Sequence, residues 1–282
     1  MSTGDVRTAT VRPLSTTDLD ACLALAQDRE WPYEDRKWEY LLRVGQGYGI
    51  DGPDGLAASA IRTTSGDLAA ISMVLVAARF AGRGLGERIM RHAVAESGSA
   101  TVHLHATPAG RRLYEKLDFR VLADVTAFTG TLRAPATDRT RRATPADLPA
   151  ILDLDRPAFG ADRSNVLSGL FDFADHVRVL ERGGRITGYA AAWRAGESLP
   201  TTIIGPVVAD DVAEARALIT DLAADSGGPV RIDLDRANTG LVDWAAEHGL
   251  APSFHVNLMS VDGRPLPGDR RRVHAPFMQA LG

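Results

Sequence analysis

A chain of 282 residues and 30.1 kDa is long for one average domain and comfortable for two. At 45% hydrophobic and 24% charged it should pack throughout, and a net charge of −4 excludes the basic stripe of a nucleic-acid binder. The lone Cys22 excludes an intrachain disulfide and suits a reducing, cytoplasmic setting. Met1 to Asp5 lacks the apolar run of a leader, and no membrane-spanning apolar stretch or metal-ligand spacing occurs.

Val11 to Leu25 reads as a strand, a Ser15 N-cap and an amphipathic helix. Cys22 lies among Leu19, Leu23 and Ala26 at helical spacing, a core position. The next informative segment is Ile71 to Gly86. Ile71 to Val76 has the β-branched, apolar composition of a buried strand. It breaks into Gly82, Gly84 and Gly86, and Glu87 to Ala95 resumes with Ile89, Ala93 and Val94 on one helical face. Strand, glycine turn and helix leave unpaired N–H groups at a helix start, a cradle for a diphosphate. The triphosphate-binding loop would need Gly-Lys-Ser/Thr, but Glu87 and Arg88 follow Gly86; the dinucleotide fingerprint would need glycine at Glu87.

Val74-Leu75-Val76 followed by Phe80-Ala81-Gly82-Arg83-Gly84-Leu85-Gly86 resembles the acetyl-coenzyme A loop of the GNAT (GCN5-related N-acetyltransferase) superfamily. Ala81 stands where that loop usually has Arg or Gln. Leu104 to Phe119 resembles the family's second signature, a strand and a helix ending in Leu-Tyr-x-x-x-Gly-Phe. Thr107 replaces a common Asn and Asp118 the Gly, a mild change because Asp tolerates a left-handed helix end.

The resemblance implies that acetyl-CoA is held by Val74, Leu75, Val76, Ala81, Gly82, Arg83, Gly84, Leu85, Gly86, Glu87 and Thr107, with no metal. It implies that Tyr114 is the general acid protonating the departing thiolate, and phenol acidity suits that task. A helix tyrosine packed beside Leu113 and Leu117 is the plainer alternative. The family binds its acceptor near the first two helices, where Trp31, Glu34, Asp35, Trp38 and Glu39 would form an aromatic, acidic rim for a cationic amine. A solvated helix with half-buried tryptophans is the alternative there. His103 and His105 point to one face of a strand; either is a candidate base, His105 the better placed, unless both are satisfied core histidines.

The chain repeats itself. Arg12, Ser15, Asp18-Leu19, Ala21, Leu23 and Leu25 recur 129 residues later as Arg141, Thr144, Asp147-Leu148, Ala150, Leu152 and Leu154. Arg133 to Asp138 reads as the linker between domains 1–134 and 139–282. In the second copy, His176–Glu181 and Arg185–Trp193 form a hairpin. Thr201–Val208, Asp211–Ala224, Val230–Leu234 and Leu241–Glu247 then alternate strand and helix. Its chemistry is gone. The glycine loop is replaced by Val208-Ala209-Asp210-Asp211-Val212-Ala213-Glu214, whose carboxylates repel a diphosphate, and Tyr114 is replaced by Ala245.

This layout is similar to tandem-GNAT acetyltransferases with a degenerate C-terminal domain. The expected fold is α/β, two GNAT domains, each a mixed, mostly antiparallel sheet flanked by helices. The expected activity is acetyl transfer from acetyl-CoA to a primary amine of a small molecule in a ternary complex, without nucleic-acid or membrane partners. A catalytically silent acyl-CoA-binding sensor or assembly protein is the alternative. The tail after Arg270 is basic, then apolar, and either packs on the body or joins a homodimer.

Overall fold

A computed structural model describes Val6 and residues 8–98, 100–196 and 199–282; Met1 to Asp5, the segment on which the expectation about a leader rests, lies outside them. The front half runs β1 (Val11–Leu14), α1 (Leu19–Asp28), α2 (Asp35–Val44), β2 (Gln46–Gly52), β3 (Gly55–Ser65), β4 (Leu68–Val76), α3 (Leu85–Ala95), β5 (Thr101–Ala106), α4 (Pro108–Lys116) and β6 (Phe119–Gly130). The rear half repeats the order: β7 (Thr140–Arg142), α5 (Leu148–Phe159), short α6 (Ser164–Leu167) and α7 (Leu170–Phe173), β8 (His176–Arg182), β9 (Arg185–Trp193), β10 (Thr202–Ala209), α8 (Val212–Ser226), β11 (Val230–Asp235), α9 (Thr239–Glu247) and β12 (Leu250–Val261). A short β13 (Val273–Ala275) ends it.

The sequence repeat is a repeat of local chemistry. Ser15 and Thr144 each close a capping box with the aspartate three residues on, Asp18 and Asp147. Each aspartate also pairs with the repeated arginine, Arg12–Asp18 at 2.9 Å and Arg141–Asp147 at 2.7 Å. The β8–β9 hairpin turns at Gly183 and Gly184, both at positive φ. Cys22 is fully buried, and burial pushes its thiol up to about 12.

The fold is α/β with a mixed sheet flanked by helices, as expected, but the sheet does not divide at residues 134 and 139. All strands join one sheet in the order β1-β2-β3-β4-β5-β12-β6-β11-β10-β9-β8-β7, with β13 beside β10. The last long strand of each half crosses over. β12 inserts between β5 and β6, pairing Leu258 with His105 and Val256 with Val125; β6 in turn pairs with β11, Ile232 opposite Phe128. Each half therefore lacks one strand of its own sheet and takes it from the other.

Packing follows the same logic. α3 lays Leu85, Ile89, Met90 and Ala93 on the front sheet, all essentially inaccessible, each large side chain contributing roughly 1.5–3 kcal/mol of burial. α8 does the same in the rear with Ala215, Leu218, Ile219 and Leu222. No described helix is long and apolar enough to cross a membrane, and no described cluster of His, Cys, Asp or Glu could hold a metal.

The tail packs on the body, across both halves. Phe277 is buried against Tyr40 of α2 and against Phe173 and Trp193 of the rear half, with ring centroids 5.7, 5.7 and 6.3 Å apart. Trp193 Nε1 donates to the Phe277 carbonyl at 3.2 Å, and Arg163 Nη1 to the Gly282 carbonyl at 3.5 Å. Arg163 is itself locked by the buried carboxylate of Asp155 at 2.6 Å.

Candidate active site

The site begins where two parallel strands part. β4 and β5 pair from Leu68–Thr101 to Ala70–His103; beyond that β5 turns to β12, while β4 stays with β3. The β3–β4 register slips between Ile61–Ser72 and Ser59–Leu75, and Met73 sits in the slip at φ +52°. A left-handed methionine is uncommon, and Ser59 Oγ holds its carbonyl at 2.9 Å. The result is a wedge between β4 and β5 with main-chain groups of Val74 to Val76 along one wall.

That wedge is a cleft of about 740 Å³, lined by Ile71 to Val76, Phe80, the glycine loop, and residues of β5 and α4. At its loop end α3 starts at Gly84, φ +81°, without a side-chain cap. Gly82 is also left-handed, φ +73°, and neither glycine has a neighbour within 4 Å of an added Cβ, so space for a ligand lies over the loop. Gly86 serves packing instead: a Cβ there would stand 3.2 Å from Leu113 Cδ2 and 3.5 Å from Val76 Cγ2. Bare helix N–H groups, left-handed glycines and an open strand edge fit a phosphate-bearing acyl carrier of coenzyme A type.

Of the residues expected to hold that carrier, Val74, Leu75, Val76, Ala81, Gly82, Gly84, Leu85, Gly86, Glu87 and Thr107 line the cleft. Arg83 does not; its guanidinium lies over the Phe80 ring, 5.5 Å from the centroid, and Arg79 covers the same ring at 4.9 Å. Neither arginine makes an ion pair among the described residues. Two cations therefore flank the loop in which Ala81 lacks one. Glu87 is paired with Arg91 at 2.8 Å. Thr107 caps α4, accepting from Gly110 N at 3.3 Å.

Tyr114 lines the cleft from α4 and is 8% exposed. Burial pushes its phenol up to about 12, so it keeps its proton at neutral pH. The ring lies against Gly110, where a Cβ would come within 2.9 Å of Tyr114 Cε2, and 6.0 Å from Phe119. α4 ends with Asp118 at φ +64°, the left-handed position the helix end requires.

The acceptor end differs from expectation. Trp31 and His105 line the cleft, but Glu34, Asp35, Trp38 and Glu39 do not. Trp38 is fully buried in the core, and Glu34 turns inward to accept from Lys37 Nζ at 2.7 Å. Helix α2 carries its acids away from the opening because Trp38, Leu41 and Leu42 take the inward face. The rim is instead Trp31, Arg29 and Lys37, with Ser72 from β4 and Gln279 and Ala280 from the tail. Nothing in local periodicity marks the tail; its one sequence signal is a single polar residue, Gln279, inside the apolar run Phe277 to Leu281.

The histidines separate. His103 is 1% exposed and pushed down to about 3 by burial; it faces Gly282 rather than the cleft. His105 is half-buried and pushed down to about 4, chiefly by burial. Its Nδ1 is 2.9 Å from the Gln279 carbonyl. A carbonyl only accepts, so Nδ1 carries the hydrogen and Nε2 keeps its lone pair.

The corresponding rear cleft is filled. β10 and β11 pair from Thr202–Val230 to Ile204–Ile232 and part in the same way, but β13 occupies the gap, pairing Val207 with Ala275 and Val208 with Val273. Asn238 Nδ2 donates to Nδ1 of His274 in β13 at 3.2 Å. At the start of α8, Asp211 Oδ1 takes the Glu214 N–H at 2.8 Å, and Arg272 and Arg182 bind Asp210 and Glu214. Own carboxylates and an own strand take the places an anion and its arm would need, and Ala245 is buried where Tyr114 would be.

Residues 53–135 and, separately, 151–275 match the family described as acetyltransferase (GNAT) domain. The chain is 27% identical over 268 residues to YitH, an uncharacterised N-acetyltransferase of Bacillus subtilis, covering 92% of this chain and 94% of that protein. Among solved structures it is similar to a Pyrococcus horikoshii protein provisionally described as an acetyltransferase (TM-score 0.83, 18% identity, 97% and 95% of the two chains). It is similar in fold also to a tandem GNAT protein from the clavulanic acid biosynthesis pathway (TM-score 0.63, 12% identity, 91% and 99%).

Proposed function

The chain belongs to the GNAT acetyltransferase superfamily, in its tandem arrangement, and from this we propose that its front half, residues 1–134, moves an acetyl group from acetyl-CoA to the primary amine of a small molecule, the rear half 139–282 being catalytically silent. One observation carries the reading: the β4–β5 wedge opens beside an uncapped α3 and Tyr114, whereas the equivalent β10–β11 wedge is closed by β13.

In this reading the amides at Gly82 to Gly86 receive the pyrophosphate, with Arg79 and Arg83 adding charge. Main-chain groups of Val74 to Val76 pair with the pantetheine arm and polarise the thioester carbonyl. A neutral amine attacks that carbonyl; the C–N bond forms and the C–S bond breaks. Tyr114 gives its proton to the leaving sulfur, and the proton released from nitrogen restores the phenol through solvent, so the products are the amide and free coenzyme A. His105 Nε2 accepts a hydrogen bond from the attacking N–H. Its low basicity fits that positioning role and not the capture of an ammonium proton.

The test is thiol release from acetyl-CoA across polyamines, amino acids, aminoglycosides and arylalkylamines, with Tyr114→Phe beside the wild type. Turnover with at least one class, lowered roughly 100-fold or more in Tyr114→Phe, is expected. Tight coenzyme A binding without turnover on any amine contradicts transfer and favours a sensor.

A further inference from the structure

The polar inventory at the acceptor end is lopsided. Ser72 is 9% exposed, and its Oγ has no hydrogen-bond partner among the described residues. Gln279 Nε2 is buried and equally unpartnered. Arg29 is exposed at the same rim and makes no ion pair among the described residues. All three groups can donate, and two of them only donate. Lys37 is already neutralised by Glu34. Among the described lining residues the one carboxylate is Glu87, at the loop end and paired with Arg91. His105 lines the same cleft, and its Nε2 keeps a lone pair because Nδ1 carries the hydrogen. Buried donors left unpaired are rare in folded proteins, and a ligand oxygen is one way to complete them.

Gln279 owes its place to the rear half. Phe277 is wedged between Tyr40, Phe173 and Trp193, and Gly282 is held by Arg163, so Gln279 is pinned on both sides while its carbonyl receives His105. The silent half thus supplies a wall of the front site.

Resting on the acetyl-transfer reading, we propose that the acceptor is a small amine that also bears a carboxylate. Gln279 Nε2, Ser72 Oγ and Arg29 receive the carboxylate, and the amine meets His105 Nε2. A polyamine finds no carboxylate on this rim; an amino acid finds a donor for its oxygens and an acceptor for its nitrogen. Gln279 is then a specificity-determining residue contributed by the tail.

Matched acceptors test this: phenylalanine against phenethylamine, lysine against cadaverine, and β-alanine against ethylamine, with acetyl-CoA saturating. In the best pair the carboxylated member is expected to lead by roughly 10- to 100-fold in kcat/KM. Gln279→Ala and the exposed Arg29→Ala should each raise its KM roughly tenfold while kcat, the decarboxylated partner and coenzyme A affinity by calorimetry stay put. Gln279→Glu should invert the preference. Preference for the decarboxylated amines, or equal losses on both members of a pair, overturns the proposal and leaves acetyl transfer standing. Silence with every amine, coenzyme A still binding, overturns acetyl transfer and this proposal with it.

Discussion

His105 Nδ1 and the main-chain carbonyl of Gln279 lie 2.9 Å apart, joining the front half's cleft strand to the last turn of the chain. The bond fixes the imidazole tautomer, and burial keeps the ring neutral above about pH 4. Because this group's affinity for protons is lowered, it is uncharged across the working range and contributes no ionisation there. We expect kcat/KM to rise about tenfold per pH unit with the fraction of neutral acceptor amine, without an inflection near pH 6.5. It should not fall below about pH 10, since Tyr114 holds its proton to about 12. An inflection near 6.5 that His105→Asn removes would make His105 an ordinary base.

Gly84 is the N-cap of α3 and Asp210 the residue before the N-cap of α8, and the two helix starts have opposite chemistry. Gly84→Asp forces a side chain onto φ +81° and sets a carboxylate at the bare start of α3. Calorimetry should show coenzyme A affinity down by about 100-fold or more. Asp210→Ala removes only the partner of Arg272 in the closed cleft, and affinity should hold within about twofold. Equal losses would place the cofactor in the wrong half.

Gly110 and Tyr114 touch within α4. Gly110→Ala favours the helix by about 1 kcal/mol, yet its Cβ would press on Tyr114 Cε2 at 2.9 Å. A displaced phenol predicts kcat down roughly 10- to 100-fold with the melting temperature undiminished. Unchanged kcat would leave Tyr114 as mere packing.

The strand exchange makes the halves interdependent. Residues 1–134 alone leave the edges of β5 and β6 without β12, and residues 139–282 leave β11 and β12 without β6. Expressed separately, each half should lack a cooperative thermal transition; mixed, they should recover one, together with coenzyme A binding. Two independent transitions would contradict the exchange.

Much of this was legible in sequence because it is local. Caps at Ser15 and Thr144, the left-handed Asp118, the loop glycines and the β8–β9 turn are set by residues within a few positions of one another. The arginine and aspartate that recur in the repeat form matching ion pairs, which the structure adds to the sequence match. What escaped is non-local. β12 follows the last element read from the sequence, and its partners β5 and β6 lie more than a hundred residues away. The acidic rim failed because Trp38 and Leu41 take the inward face of α2, turning Glu39 outward, and Lys37 claims Glu34. Gln279 was invisible because its role depends on where the rear half leaves the tail.

The most direct measurement is a crystal structure with acetyl-CoA bound. The pyrophosphate is expected on the amides of Gly82 to Gly86, the thioester beside Tyr114 between β4 and β5, and β13 undisturbed against β10. Cofactor density between β10 and β11 with β13 displaced, or a front wedge that excludes the thioester, would contradict it.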